Sequence, residues 1–209
     1  IEVYNTNRRL LRQIYELRRR QRPPLAGAEA MAMVLSSMLM DKEEHNRMLE
    51  DVLNGLPAEG NGDGVRLMLI GSENDDIDMV RLMESLGGRV VVDDHCTGSR
   101  YFWNEVVPER DRLAAIAARY IDRPACPIRD WEGRRRWTYI AGLARDYQVQ
   151  GAILVQQKFC DPHEFDIPPL ITFLREKLNI PSLFLETDIT IPAGQFRTRI
   201  EAFLETFQI

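Results

Sequence analysis

Nowhere in the 209 residues does an apolar run approach the roughly 20 positions needed to cross a bilayer. No charged start, apolar middle and small-residue cleavage site marks a secretory leader either, so the cytoplasm is the expected location. A net charge of −5 leaves no basic surplus for a dedicated nucleic-acid binder. The local run Arg18, Arg19, Arg20 and Arg22 is expected to solvate a helix end. Cysteine is scarce: Cys96, Cys126 and Cys160 are odd in number, widely spaced and without a CxxC pair. That excludes a disulfide framework and a closed zinc site built from local spacing, and it leaves at least one thiol free. Neither GxGxxG nor GxxxxGK[ST] follows the first strand, which disfavours standard dinucleotide and P-loop functions. The chain opens at Ile1, and its first methionine, Met31, lies inside a helical pattern, as expected of a fragment or a chain trimmed at its N-terminus.

What the sequence does contain is a helical segment followed by short apolar runs alternating with helices. Val3, Leu10, Leu11, Ile14 and Leu17 recur at helical spacing, and Pro23 and Pro24 end that helix. A methionine-rich helix over 28–40 and a third helix capped by Asp41 follow. The methionine stripe reads as core packing or as a contact surface. Gly and Pro then mark a linker, which gives a helical segment 1–56 leading from a missing N-terminal lobe, a linker 57–64 and a C-terminal α/β domain 65–209. Strands are expected at 65–70, 89–92, 152–155 and 182–185, and helices at 76–86, 110–120, 131–147, 169–178 and 194–207. Continuous apolar strands joined by helices imply an open parallel sheet of four or slightly more strands, flavodoxin-like and doubly wound.

Ligands bind such sheets outside the carboxyl ends of the strands, and here those ends are loaded with polar residues. Ser72 and Asn74 follow the first strand, His95 and Arg100 the second, Gln157 the third and Asp188 the fourth; these six are the candidates for lining a substrate cleft. Asp94 or Thr97 could equally be caps, and Gly98 a turn residue. A Cys96–His95 nucleophile is disfavoured because neighbouring strand residues point to opposite faces. Cys160 stands at a strand-to-loop transition, with Lys158 and His163 near enough in sequence to stabilise a thiolate. A lone cysteine is more often an inert buried thiol, so spacing alone assigns no cluster.

Several blocks, in order along nearly the whole chain, carry a resemblance: NRRLL (7–11), DDHCTGSRYFW (93–103), KFCDP (158–162), ETD (186–188) and GQFRTRIEAFLE (194–205). Together they resemble the C-terminal half of the benzoyl-CoA reductase and 2-hydroxyacyl-CoA dehydratase family. The resemblance implies a subunit of an iron–sulfur acyl-CoA reductase or dehydratase that uses a [4Fe–4S] cluster for low-potential one-electron reduction of a CoA thioester. It implies three cluster cysteines, of which Cys160 is one and the other two lie upstream of this chain. On that basis Cys96 and Cys126 stay outside the ligand set, and the isolated chain is expected to be inactive and without a cluster. It also implies a related second subunit in a heterodimer and a separate ATP-hydrolysing iron–sulfur activator, in keeping with the missing P-loop. The alternative is an acyl-CoA-binding or assembly subunit of the same fold without a working cluster.

Overall fold

Apolar runs without alternation make strands buried on both faces, and this sheet shows why. The computed structural model describes residues 1–60, 63–126, 133, 135–188 and 193–207. Strands β1 (Val65–Gly71), β2 (Gly88–Asp94), β3 (Gly151–Gln157) and β4 (Ser182–Thr187) form a single parallel sheet in the order β2-β1-β3-β4. Chain order reverses between β1 and β3, the topological switch point of a doubly wound sheet. The expected α/β class is the observed one.

Alternation along the central strands divides the core in two. Met68 and Ile70 of β1, with Ala152 and Leu154 of β3, face one layer; Leu67, Leu69, Ile153 and Val155 face the other. The first layer draws on α1 (Glu2–Leu17), α3 (Lys42–Gly55), α7 (Arg135–Asp146) and α8 (Asp161–Leu178), and the second on α4 (Ile77–Ser85) and α9 (Ala193–Glu205). Helix α2 (Gly27–Leu39) serves both, with Ala30 and Val34 in one cluster and Ala28 and Met31 in the other. The methionine stripe is thus core at Met31, while Met38 and Leu39 are exposed. As expected, Asp41 caps α3 by accepting from the Glu43 and Glu44 amides at 3.0 and 3.1 Å.

Three features depart from the sequence reading. The arginine run does not simply face water. Arg18 is buried, donates to the Val90 carbonyl and lies 4.9 Å over the Tyr15 ring. Arg66 in β1 reaches back to the carbonyls of Arg18 and Arg20, each at 3.0 Å, so the end of α1 is tied into the sheet. Helix α8 begins at Asp161 rather than near Pro169 and runs through Pro168 and Pro169. Prolines disfavour this, but Ile167, Leu170 and Leu174 sit in the core, and a buried ion pair at Asp166 holds the intervening turn. A short helix, α5 (Ser99–Phe102), falls inside the block read as a polar loop. The expected start of α7 at Trp131 lies outside the described residues. Helix α6 (Arg112–Ile121) completes the set.

Because Leu154 is fully buried in a central strand, Leu154→Ala should lower stability by about 2–5 kcal/mol, read from the denaturation midpoint in urea. An unchanged midpoint would contradict this placement of β3.

Candidate functional site

The block 93–103 shows how the second strand is turned into a site. Asp93 accepts hydrogen bonds from the Tyr15 hydroxyl and, at 2.6 Å, from the Ser99 amide, which fixes the start of α5. Gly98 is required there, because a Cβ would overlap the Asp93 carboxylate. Thr97 donates to the Asn74 carbonyl at 2.8 Å and accepts from its amide at 2.9 Å, which joins the loops after β1 and β2. Phe102 is fully buried, edge-on to Tyr15 with ring centroids 4.7 Å apart.

Asp94 is not a cap. It is completely buried between two guanidiniums, accepting from Arg100 Nη1 at 2.9 Å and Arg136 Nε at 2.7 Å, and Arg136 continues to Asp166 of α8. Burial would push the Asp94 carboxyl up, but Arg100 and Arg136 hold it below its ordinary value. Arg100 also donates through Nη2 to the carbonyls of Gly71 and Ser72, both at 2.8 Å, and approaches Cys96 Sγ at 3.6 Å. One guanidinium thereby fastens the loops after β1 and β2. Burial works against its charge, yet Asp94 and the Cys96 and Cys126 sulfurs more than compensate and raise its pKa.

Cys160 is reached through a left-handed residue, Phe159, whose φ is 67° and whose ring is exposed. A non-glycine residue in that region costs about 1 kcal/mol or more, strain here spent on turning β3 sharply into α8. The turn is held by the Cys160 amide donating to the Gln157 carbonyl at 3.2 Å and by Gln156 Nε2 donating to that carbonyl at 2.7 Å. Cys160 is the N-cap residue of α8, where the helix dipole favours negative charge.

The six cleft candidates divide among three places on this edge. Ser72 and Arg100 line a small cavity together with Cys96, Cys126, Cys160 and His163. Its unfilled space, mouth included, is about 240 Å³, of which a water could occupy about 40 Å³. Asn74, Gln157 and Asp188 line a larger neighbouring pocket, about 170 Å³ where the first cavity has about 40 Å³, whose other polar walls are Glu73, Asp75, Asp76 and Thr187. His95 is fully buried and lines neither. It lies so close to Gly71 that a Cβ there would stand 2.8 Å from Nε2. Cys96 and Cys126, set aside by the sequence reading, share the wall with Cys160. Lys158 does not serve the thiol but pairs with Asp188 at 3.2 Å, and burial drives His163 down to about 3, so it is neutral. The cation of this cavity is Arg100. No local signal could have found Arg136, Asp166 or Cys126, because their partners are far away in sequence. Among the described residues no three His, Cys, Asp or Glu side chains converge to hold a single metal ion. Cys160 offers the cavity a soft sulfur donor of the kind iron takes, with the Arg100 guanidinium in the same lining and no carboxylate among the lining residues.

Fold and site together define an open α/β lobe that presents a thiol-lined cavity at the switch-point edge of its sheet. The chain belongs to the family described as 2-hydroxyglutaryl-CoA dehydratase, D-component, which it matches over residues 1–207. It is 27% identical to the (R)-phenyllactyl-CoA dehydratase beta subunit of Clostridium sporogenes, over 99% of this chain and 55% of that one. Identity to a benzoyl-CoA reductase subunit of Thauera aromatica is 26%, over 81% of this chain and 46% of that protein. Identity to the (R)-2-hydroxyglutaryl-CoA dehydratase beta subunit of Acidaminococcus fermentans is 27%, over 99% and 56%. The chain spans about half the length of these relatives. No helix among the described residues is long and apolar enough to cross a membrane.

Burial lowers His95 to about 4 and His163 to about 3, from an ordinary value near 6.5. Below about pH 6.5 the unfolded chain binds protons that the native imidazoles refuse. Stability should therefore fall from that pH down to the native values, each histidine adding a slope of about 1.4 kcal/mol per pH unit. The Asp94 contribution persists lower still, and is lost as pH drops through a native value below 3.8. Urea midpoints between pH 7.5 and 4.5 should show the decline, and His95→Gln should flatten it; a slope unaltered by that change would contradict a neutral buried His95.

Proposed function

We propose that the protein is a subunit of an iron–sulfur acyl-CoA reductase or dehydratase, of benzoyl-CoA reductase or 2-hydroxyacyl-CoA dehydratase type, acting on a CoA thioester. The observation that carries this reading is the position of Cys160, at the switch-point edge and at the start of α8, in a chain that matches one dehydratase family over nearly its full length. A [4Fe–4S] cluster bound there would supply low-potential electrons one at a time to the thioester. The chain's own residues fix the frame: Arg100 holds the loops after β1 and β2, Gln156 clamps the turn into α8, and the apolar cavity wall limits water. Asn74, Gln157 and Asp188, which line the adjoining pocket, would hold polar parts of the substrate. A related second subunit and a separate ATP-hydrolysing iron–sulfur activator complete the assembly.

Prepared without oxygen, the protein with its upstream lobe should be brown from thiolate-to-iron charge transfer, and Cys160→Ser should remove most of the colour and iron. A colourless, iron-free protein that still binds acyl-CoA in calorimetry would overturn the redox reading in favour of a binding or assembly subunit. Turnover of benzoyl-CoA against 2-hydroxyacyl-CoA thioesters, in the complex with activator, separates the two chemistries.

A further inference from the structure

We propose, resting on the reading of the chain as an acyl-CoA subunit, that the acidic pocket beside the Cys160 cavity receives the acyl group and selects it by charge. An uncharged acyl chain enters, and one that ends in a carboxylate is turned away. Glu73 and Asp75 set this choice, with Asp76 and Asp188 beside them.

The two cavities are built from the same loops. The connection after β1 gives Ser72 to the cavity of Cys160 and Glu73, Asn74 and Asp75 to the pocket; the connection after β3 gives Cys160 to the first and the strand end Gln157 to the second. The cavity has room for about 40 Å³, enough for the reacting atoms of a thioester but not for its acyl chain. The pocket has about 170 Å³ and an apolar wall of Met79 and Val155, where an engineered apolar cavity of about 150 Å³ already takes benzene. A second, independent observation points to a ligand there. Asn74 is only 5% exposed, and its Oδ1 accepts from the Asp76 amide at 3.0 Å, while Nδ2 is buried without a partner among the described residues. Buried donors are almost always satisfied, so Nδ2 calls for an acceptor oxygen on whatever fills the pocket.

Charge decides which oxygen that is. No Lys, Arg or His is among the described residues lining the pocket. Lys158, on the loop after β3, is held by Asp188 at 3.2 Å, and Arg100 is held by Asp94 beside the other cavity. A carboxylate brought among four acidic side chains gains one neutral hydrogen bond from Asn74, which returns far less than the repulsion of like charges costs. An uncharged hydroxyl or amide accepts from Asn74 and donates to the carboxylates. Asp161, Glu164 and Glu186 are exposed and continue the same sign near this edge of the sheet. The phosphates of CoA are repelled there too, so the acyl end of the thioester is the end that approaches.

The test offers matched thioesters to the complete complex, with upstream lobe, second subunit and activator. 2-Hydroxyglutaryl-CoA is set against its side-chain amide and 2-hydroxypentanoyl-CoA, and 3-carboxybenzoyl-CoA against 3-carbamoylbenzoyl-CoA and benzoyl-CoA. Affinity is read by calorimetry and selectivity as the ratio of kcat/KM values. In the series that the enzyme accepts, the uncharged members should be favoured over the carboxylate at least about tenfold. That gap should shrink as salt rises from about 0.05 to about 0.5 M, because screening weakens repulsion. Asp76 caps α4 and Asp188 pairs with Lys158, so the variant is Glu73→Gln combined with Asp75→Asn, which should narrow the gap at least about threefold. If that variant misfolds by circular dichroism, the salt dependence of the unaltered protein decides. A carboxylate used as well as its amide, an amide rejected as strongly as its carboxylate, or a gap that neither salt nor the variant moves overturns the inference, and the proposed function stands. If the complex neither binds nor turns over any of the six thioesters, both fall.

Discussion

The site depends on one buried carboxylate. Asp94 lies at the end of β2 between Arg100 and Arg136, and each contact it makes leads to a different part of the cavity. Through Arg100 it reaches the backbone after β1 and the Cys96 sulfur; through Arg136 and Asp166 it reaches the second turn of α8, the helix whose N-cap residue is Cys160. Buried ion pairs add little stability over a well-packed apolar core, whereas losing one partner leaves a stranded charge at a cost of about 3–5 kcal/mol. The network therefore explains geometry better than it explains stability. It holds three loops, from three strands, in one arrangement.

That dependence clarifies how α8 exists at all. Two consecutive prolines remove helical hydrogen bonds within it, yet Asp166, just before them, is held by Arg136, and the residues on either side are anchored in the core. The same ion pair that supports the helix sets its first turn beside the cavity. Strain at Phe159 and the clamp from Gln156 then fix the chain's passage from β3 to Cys160.

Much of this was legible in the sequence, because the signals were local. Apolar runs at 65–70 and 152–155 read as buried strands, Asp41 read as a cap, and Cys160 was placed at a strand end by the run that precedes it. What was not legible depends on contacts distant in sequence. Asp94 looked like a cap because its partners Arg100 and Arg136 are six and 42 positions away. Lys158 looked like the cation for Cys160 because it is two residues off, but it turns to Asp188, and Arg100 takes its place. Pro168 and Pro169 argued for a break that tertiary packing overrides. The gathering of Cys96, Cys126 and Cys160 left no trace in their spacing, since each lies on its own connection.

The central claim is that the thiol-lined cavity at the switch point is an iron–sulfur site. The most direct measurement is an anomalous difference map at the iron absorption edge, from crystals of the protein with its upstream lobe, prepared without oxygen. The account predicts a strong iron peak in the cavity lined by Ser72, Arg100, Cys160 and His163, within bonding distance of cysteine sulfur. Iron bound elsewhere on the chain, or none in that cavity, would contradict it.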